Sequence, residues 1–176
     1  MKKQVLFIQG GGEGAYAADE KLAVSLQDAL GAEYNVVYPY MPDEDDPQYR
    51  TWAAQISEEQ AVLGDKAIIV GHSVGGAVLL RHLSEAKIDK PVAGIFIMAA
   101  PYWGAEDWQA DLPAGLPVFL YHSRDDSVVP FAHLAKFAEK FPQATIREFD
   151  GRGHQFNNDL SEVAEDIKGL EVHNRF

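Results

Sequence analysis

Residues 66–86 have the sequence Lys66-Ala-Ile-Ile-Val-Gly-His-Ser-Val-Gly-Gly-Ala-Val-Leu-Leu-Arg-His-Leu-Ser-Glu-Ala86, and this stretch decides the fold. Its first apolar residues, 67–70, form a short run that is typical of a strand buried on both faces. Small residues follow, and then a helical pattern with its apolar residues mostly on one side. Gly71-His-Ser-Val-Gly75 therefore matches G-x-S-x-G in the context that this motif requires, which is strand, sharp turn and helix.

The glycines around Ser73 have a steric role. Ser73 must adopt a strained backbone conformation at the tip of the turn, and a Cβ atom at position 71 or 75 would collide with the neighbouring turn. The hydroxyl then projects above the sheet, where the helix N-terminus favours negative charge. The stretch predicts Ser73 as a nucleophile. The alternative is a Gly/Ser-rich turn without chemistry.

Composition limits the class of protein. The length of 176 residues predicts a single domain, 1–176, with a substantial core. The absence of cysteine excludes disulfides, thiolate metal sites and a cysteine nucleophile. The net charge of −12 repels a phosphate backbone, so we expect no nucleic-acid partner. A strand pattern begins almost at Met1 and no apolar run approaches the roughly 20 residues of a membrane span, which predicts a cytoplasmic protein without membrane association.

Strand and helix patterns alternate along the rest of the chain. The other predicted strands lie at 5–8, 34–38, 91–100, 116–122 and 144–149, and the other predicted helices at 15–30, 48–63, 131–141 and 158–169. This alternation predicts an α/β fold, a three-layer sandwich with about six mainly parallel strands and helices on both faces of the sheet. Ligands of such sheets bind beyond the carboxyl ends of the strands.

A serine nucleophile needs a neighbouring base, and the base needs an acid to orient it. Among the six histidines, His154 is the best candidate, because it lies in the loop after the last predicted strand and can reach over the elbow. His72 is inside the elbow, with its ring expected to point away from Ser73, and His122 leads directly into a loop with acids of its own. That loop offers Asp125 and Asp126 as the orienting acid.

Together these segments resemble the α/β-hydrolase superfamily, specifically its small, lidless serine hydrolases, over nearly the whole chain. Asp126-Ser-Val-Val-Pro130 resembles the family's D-x-x-V-P, which implies that the acid is Asp126 and that Asp125 faces Arg124 or solvent. Gly153-His154 followed by Phe156 resembles the G-H-x-F that carries the family's histidine. Ser73, Asp126 and His154 also follow the family's order.

The resemblance implies a minimal α/β-hydrolase fold and a carboxylesterase-like enzyme. Its substrate would be a small-molecule carboxylic ester or thioester, cleaved through a Ser-His-Asp triad and an acyl-enzyme, with no cofactor and no metal. One oxyanion donor would be the backbone N–H of Val74, and the other would be that of Gly11 or Gly12. The family often has His-Gly at the start of the loop after the first strand, which contains Gly11 and Gly12, whereas this chain has Gln9-Gly10.

Two further groups of residues carry predictions. The consecutive acids 43–46 are expected to be a solvated surface. Residues on or near strand-end loops are candidates for substrate binding, with loop packing as the alternative; they are Tyr16, Met41, Tyr102, Trp103 and Phe156.

Other classes of protein fit parts of the sequence. Gly10 to Ala15 matches the dinucleotide fingerprint G-x-G-x-x-A, but the second strand ends in Tyr38-Pro-Tyr40 rather than in the acid that a Rossmann-type site requires. A metal site of His72, His122 and His154 lacks the spacings H-x-x-x-H and H-E-x-x-H. A binding module with this fold and a nonproductive triad remains an alternative.

Overall fold

The computed structural model describes residues 1–86, 91–103 and 108–173. Its six strands form one sheet in the order β2-β1-β3-β4-β5-β6, and every neighbouring pair is parallel. The strands are β1 Lys3–Ile8, β2 Tyr34–Val37, β3 Ala67–His72, β4 Val92–Met98, β5 Val118–Ser123 and β6 Thr145–Phe149. The helices are α1 Ala15–Leu30, α2 Tyr49–Val62, α3 Ser73–Glu85, α4 Ala132–Lys140 and α5 Ser161–His173, with a short 3-10 helix at Phe156–Asn158.

Alternate side chains of the central strands enter two different cores. In β1, Val5 and Phe7 pack with the buried faces of α1 and α5, whereas Leu6 and Ile8 pack with α2, α3 and α4. All four side chains are fully buried. The short apolar runs are thus explained by a sheet covered by helices on both faces.

The strand order reverses between β1 and β3. The chain moves from β1 outward to β2 and then returns past β1 to β3, so the segments that follow β1 and β3 leave the sheet toward opposite faces. Such a reversal opens a crevice at the carboxyl ends of the two strands. The glycine loop, residues 9–14, and the elbow at Ser73 lie at this point.

The predicted fold class is confirmed, including a parallel sheet that begins at the chain's first strand. The observed ends differ most from the predicted ends in the final helix. This helix begins at Ser161 rather than at residue 158, because residues 156–158 form the 3-10 turn. Phe156, Asn157 and Asn158 all have positive φ, between 51° and 55°, which no apolar periodicity reveals. No helix within the described ranges is long and apolar enough to cross a membrane.

The glycines of the elbow are required by close packing. A Cβ atom on Gly75 would lie 2.0 Å from the Gln9 carbonyl oxygen, and one on Gly71 would lie 2.8 Å from the Gly76 Cα atom. The first contact involves the backbone of β1's C-terminal end, so no side-chain rotation can relieve it. Helix α3 therefore sits against β1 only if residue 75 is glycine.

We expect Gly75→Ala to lower the free energy of unfolding by about 3 kcal/mol or more, because the added methyl overlaps backbone atoms. Gly169→Ala is the matched control, since a Cβ atom there meets nothing within 4 Å. In the interior of α5 that change should raise stability by about 0.5–1 kcal/mol. Denaturant unfolding of both variants measures the difference, and a similar stability for the two would contradict the packing argument.

Candidate active site

Ser73 is the first residue of α3 and directly follows the last residue of β3. Its φ of 51° is the left-handed conformation that the elbow motif predicted. The residue is 7% exposed, so Ser73 is buried rather than on an open surface. The helix N-terminus at this position favours developing negative charge.

Asp126 and His154 are in direct contact. His154 Nδ1 lies 2.8 Å from Asp126 Oδ2, and the Asp126 side chain is fully buried while that of His154 is 14% exposed. A carboxylate only accepts hydrogen bonds, so Nδ1 carries the proton and donates it. In a neutral ring this tautomer leaves Nε2, on the opposite side, as the basic nitrogen.

Two further hydrogen bonds hold the Asp126 carboxylate. The Val128 and Val129 N–H groups each donate to Oδ1 at 2.8 Å. His122 Nε2 donates to the Val129 carbonyl oxygen at 3.0 Å and also lies 3.1 Å from Asp126 Oδ2. Burial opposes ionisation, but the bond from His154 and the two amide bonds outweigh it and lower the pKa of Asp126. The carboxylate is therefore ionised and fixed. From the sequence, His122 was a candidate only for the base, and the contact between His122 and Asp126 was not predicted.

Asp125 is exposed, as expected, but its carboxylate is also bound within the neighbouring loops. Its Oδ1 atom accepts hydrogen bonds from Ser123 Oγ and, at 3.1 Å, from the Gly153 N–H. These bonds lower the pKa of Asp125, with the Ser123 bond contributing most. Asp125 and Asp126 thus hold the same loop at adjacent residues, Asp125 through the main chain at Gly153 and Asp126 through the ring of His154.

A second buried pair of histidine and aspartate lies beneath His154. His72 Nδ1 is 2.8 Å from Asp19 Oδ2, His72 Nε2 is 2.9 Å from the His154 carbonyl oxygen, and the His72 and His154 rings are 4.8 Å apart. Sequence reasoning missed this pair. One signal was available: Asp19 precedes Leu22 and Leu26 on the apolar stripe of α1, where a carboxylate needs a buried partner.

The electrostatic surroundings of His154 favour a neutral ring. Burial lowers the pKa of His154, and the repulsion of His72 lowers it further. The hydrogen bond and the charge of Asp126 act in the opposite direction, as does the more distant charge of Asp19, but they do not outweigh these effects. Because the pKa of His154 lies below the ordinary histidine value of 6.5, the ring is neutral at physiological pH and can accept a proton.

The glycine loop lies against the elbow. A Cβ atom on Gly10 would be 3.2 Å from Ser73 Cβ, and one on Gly11 would be 3.2 Å from Val74 Cγ2 and 2.8 Å from Pro47 Cγ. Gly12 differs, because its N–H donates to the Glu44 carbonyl and nothing lies within 4 Å of its Cβ position. Of the two alternatives, Gly11 is the one that lies beside Val74.

The acidic segment 43–46 is not merely a solvated surface, because Glu44 is bound to the glycine loop. Its Oε2 atom accepts hydrogen bonds from the Tyr16 N–H at 2.7 Å and from Gln9 Nε2 at 2.8 Å, and its Oε1 atom accepts one from the Gly14 N–H at 3.1 Å. A carboxylate at a helix N-terminus also interacts favourably with the helix dipole. Asp43, Asp45 and Asp46 are exposed, as the sequence predicted.

The Glu44 carboxylate also bears on the dinucleotide alternative. In a Rossmann-type site the pyrophosphate occupies the helix N-terminus after the glycine loop. Here that position holds a carboxylate bonded to amides of the same helix. The strand order, in which β1 lies between β2 and β3, also differs from the 3-2-1-4-5-6 order of dinucleotide-binding sheets.

The five candidate substrate-binding residues occupy different environments. Met41 and Phe156 are fully buried in the two cores and so cannot contact a substrate at the surface, which corrects those two predictions. Tyr16 stacks on Tyr38, with ring centroids 4.7 Å apart. Tyr102 and Trp103 line a groove.

This groove has a volume of about 320 Å³, and its lining includes Val74, the residue after Ser73. Its lining is mainly apolar and aromatic, and consists of Pro47, Gln48, Tyr49, Val74, Ala77, Val78, Arg81, Pro101, Tyr102, Trp103, Trp108 and Phe137. Pockets with such a lining bind the apolar part of a small ligand.

Where the structure describes the chain, no group of three or more acidic, histidine or cysteine side chains could hold a metal ion.

The chain is similar to known hydrolases. The serine hydrolase family model matches residues 23–161. YdeN of Bacillus subtilis (strain 168), which is named as a hydrolase, is 25% identical over 127 residues, or 65% of this chain and 66% of YdeN. The YdeN crystal structure superposes with a TM-score of 0.77 at 20% identity, over 97% of this chain and 100% of YdeN.

Two other crystal structures have the same fold. Arabidopsis thaliana SOBER1 superposes with a TM-score of 0.74 at 17% identity, over 97% of this chain and 99% of SOBER1. CarC, a serine hydrolase involved in carbazole degradation, superposes with a TM-score of 0.73 at 15% identity, over 97% of this chain and 91% of CarC. These similarities establish an α/β-hydrolase fold.

We expect Glu44→Gln to lower the free energy of unfolding by about 1–3 kcal/mol, because the amide offers one acceptor oxygen and turns its NH₂ group toward other donors. If Glu44 orders the glycine loop, hydrolytic turnover falls as well. Asp45→Asn is the matched control on the exposed part of the segment, and its stability should stay within about 0.5 kcal/mol of the wild type. Equal effects of the two variants would show that the Glu44 bonds contribute nothing.

The two adjacent acids should respond differently to conversion into the amide. Asp126→Asn can place an NH₂ group against the His154 Nδ1–H donor, so we expect kcat to fall by about 10²–10⁴-fold. Asp125→Asn retains an oxygen for the bonds from Ser123 and Gly153, so we expect a loss of less than about tenfold. Steady-state kinetics of both variants measures the ranking, and the reverse order would assign the acid to Asp125.

Proposed function

We propose that this chain, which belongs to the serine hydrolase family, hydrolyses small-molecule carboxylic esters or thioesters through Ser73, His154 and Asp126. The observation that carries the proposal is the 2.8 Å bond between His154 Nδ1 and the buried Asp126 carboxylate. Ser73, held at a φ of 51°, directly follows His72, whose ring is 4.8 Å from that of His154. These are the parts of a serine nucleophile, its base and the acid that orients the base.

In the first half of the reaction, His154 Nε2 removes the Ser73 proton while Ser73 Oγ attacks the carbonyl carbon. Asp126 stabilises the imidazolium that forms. The tetrahedral oxyanion accepts hydrogen bonds from the N–H groups of Val74 and Gly11. Its collapse breaks the bond to the alcohol or thiol, which leaves with the proton from His154 and gives the acyl-enzyme.

In the second half, water replaces the alcohol or thiol. His154 removes a proton from the water as the oxygen attacks the acyl carbon, and the second tetrahedral intermediate releases the carboxylic acid and restores the Ser73 hydroxyl. The sum is ester and water to acid and alcohol. A neutral His154 in the resting enzyme, favoured by its lowered pKa, suits both steps.

The groove supports an apolar group in the substrate. Its lining includes Val74, whose N–H is one proposed oxyanion donor, together with Ala77 and Val78 of α3 and the aromatic rings of Tyr102 and Trp108. A carbonyl placed at Ser73 would direct one of its two substituents into this channel. At about 320 Å³ the groove is at the small end of ligand pockets, so short or medium substituents fit best.

The proposal is tested with a fluorophosphonate probe and a series of aryl esters and thioesters of increasing acyl length. We expect the probe to label Ser73, and we expect Ser73→Ala to lose the label and at least about 10³-fold in kcat while retaining the fold. Ser84→Ala is the matched control, because Ser84 is also buried on α3 but donates to the Leu80 carbonyl. It should keep labelling and turnover.

Two outcomes contradict the proposal. Wild-type turnover in Ser73→Ala, or labelling at a different serine, would remove the nucleophile assignment. A folded wild-type protein that neither reacts with the probe nor hydrolyses any ester or thioester in the series would instead favour the binding-module alternative.

A further inference from the structure

We propose that Asp19 and His72 are positioning residues of this site: a buried ion pair that fixes the main chain of His154 and the glycine loop together and keeps the His154 ring neutral in the resting enzyme. This inference rests on the proposed function, because it concerns the base of that reaction. It assigns a role to two residues outside the Ser-His-Asp triad.

The pair joins segments that are distant in the chain. Asp19 Oδ2 accepts a hydrogen bond from the Gly10 N–H at 2.7 Å, and Asp19 Oδ1 accepts one from Gln155 Nε2 at 3.0 Å. His72 connects the same carboxylate to the His154 carbonyl. One carboxylate on α1 therefore fixes the start of the glycine loop, the elbow and, at residues 154 and 155, the histidine loop, residues 150–156.

The hydrogen bonds determine the charge on His72. The His154 carbonyl oxygen can only accept, so His72 Nε2 carries a hydrogen. Asp19 Oδ2 already accepts from the Gly10 N–H and faces His72 Nδ1, and an ionised carboxylate there requires a hydrogen on Nδ1 as well. With both nitrogens protonated, His72 is an imidazolium and the pair is ionic.

The charge balance around His72 agrees with this assignment. Burial disfavours the imidazolium, but the charge and hydrogen bond of Asp19, helped by the bond to His154 and the charge of Asp126, raise the pKa of His72. Burial likewise disfavours the Asp19 carboxylate, but His72, Gln155 and the Gly10 amide lower its pKa. The side chains are 2% and 3% exposed, so solvent screens the pair little.

The positive charge lies directly under the proposed base. Three charged groups face the His154 ring: His72 from the elbow, Asp126 from the loop after β5 and Asp19 from α1. His72 repels a proton on His154, whereas the two carboxylates attract it, and the charge of His72 has a larger effect than the charge of either carboxylate. Removal of the His72 charge should therefore raise the pKa of His154.

The decisive variant is His72→Gln, which keeps an N–H donor but has no positive charge. We expect kcat to fall by about 10- to 100-fold, since the base is no longer held in place, with a change in KM of less than about threefold. The acidic limb of the pH profile of kcat/KM should move to higher pH, because neutral His154 is the active form and its pKa has risen. A purely structural role would not move this limb.

His82→Gln is the matched control. His82, on α3, is also a buried histidine, but its Nε2 atom contacts Ser57 Oγ of α2 at 3.1 Å. Its replacement should leave kcat within about twofold and the pH profile in place. Asp19→Asn should resemble His72→Gln in kcat, and the double variant should lose no more than the worse single variant, because the two residues act as one unit.

Nuclear magnetic resonance tests the pair without any substrate. In the wild-type protein at pH 7, ¹⁵N shifts should show both His72 ring nitrogens protonated, and His154 should titrate below 6.5. In His72→Gln, His154 should titrate at higher pH. A neutral His72, or an unmoved His154 titration with kcat within twofold, would overturn the inference. Absence of hydrolysis and of Ser73 labelling in the wild type would overturn the proposed function instead.

Discussion

The approach of helix α3 to the C-terminal end of strand β1 is the constraint on which the site depends. Gly75 lies so close to the Gln9 carbonyl that only a residue without a Cβ atom fits. This contact brings the loop after β1 alongside the elbow, so that Gly10 lies next to Ser73 and Gly11 next to Val74. The proposed oxyanion hole combines N–H groups from two separate segments, so it requires this proximity. The backbone packing of α3 against the end of β1 brings the two segments together.

Polar side chains then fix the loop that this packing places. Gln9 is fully buried, and its amide oxygen accepts from the Met41 N–H while its nitrogen donates to Glu44. Met41 and Glu44 lie in the connection between β2 and α2. At the position where the resemblance suggested a histidine, this chain therefore has an amide that ties two loops together. Glu44 completes the connection at the N-terminus of α1.

The sequence predicted those parts of the molecule that short-range chemistry determines. Doubly buried strands, the elbow around Ser73 and the D-x-x-V-P loop each carry their signal within a few adjacent residues. Asp19 and His72, by contrast, are 53 positions apart, and Glu44 is 35 positions from Gln9, so each partner looks like an ordinary polar residue until the sheet order is known. Met41 and Phe156 were misplaced for the opposite reason, because apolar side chains on loops gain more from the core than from an open site.

The histidine loop shows how this site keeps its proposed base in place. Gly151 and Gly153 have φ values of 70° and 63°. As glycines they add no side-chain packing to this segment, and they lose much conformational freedom when it is ordered. Three carboxylates restrict it at different points: Asp125 at the Gly153 amide, Asp126 at the His154 ring, and Asp19 at Gln155. Phe156 then anchors the end of the loop in the core. The geometry of the base thus depends on directional bonds to buried or loop-bound charges, and apolar packing contributes only where the loop re-enters the protein.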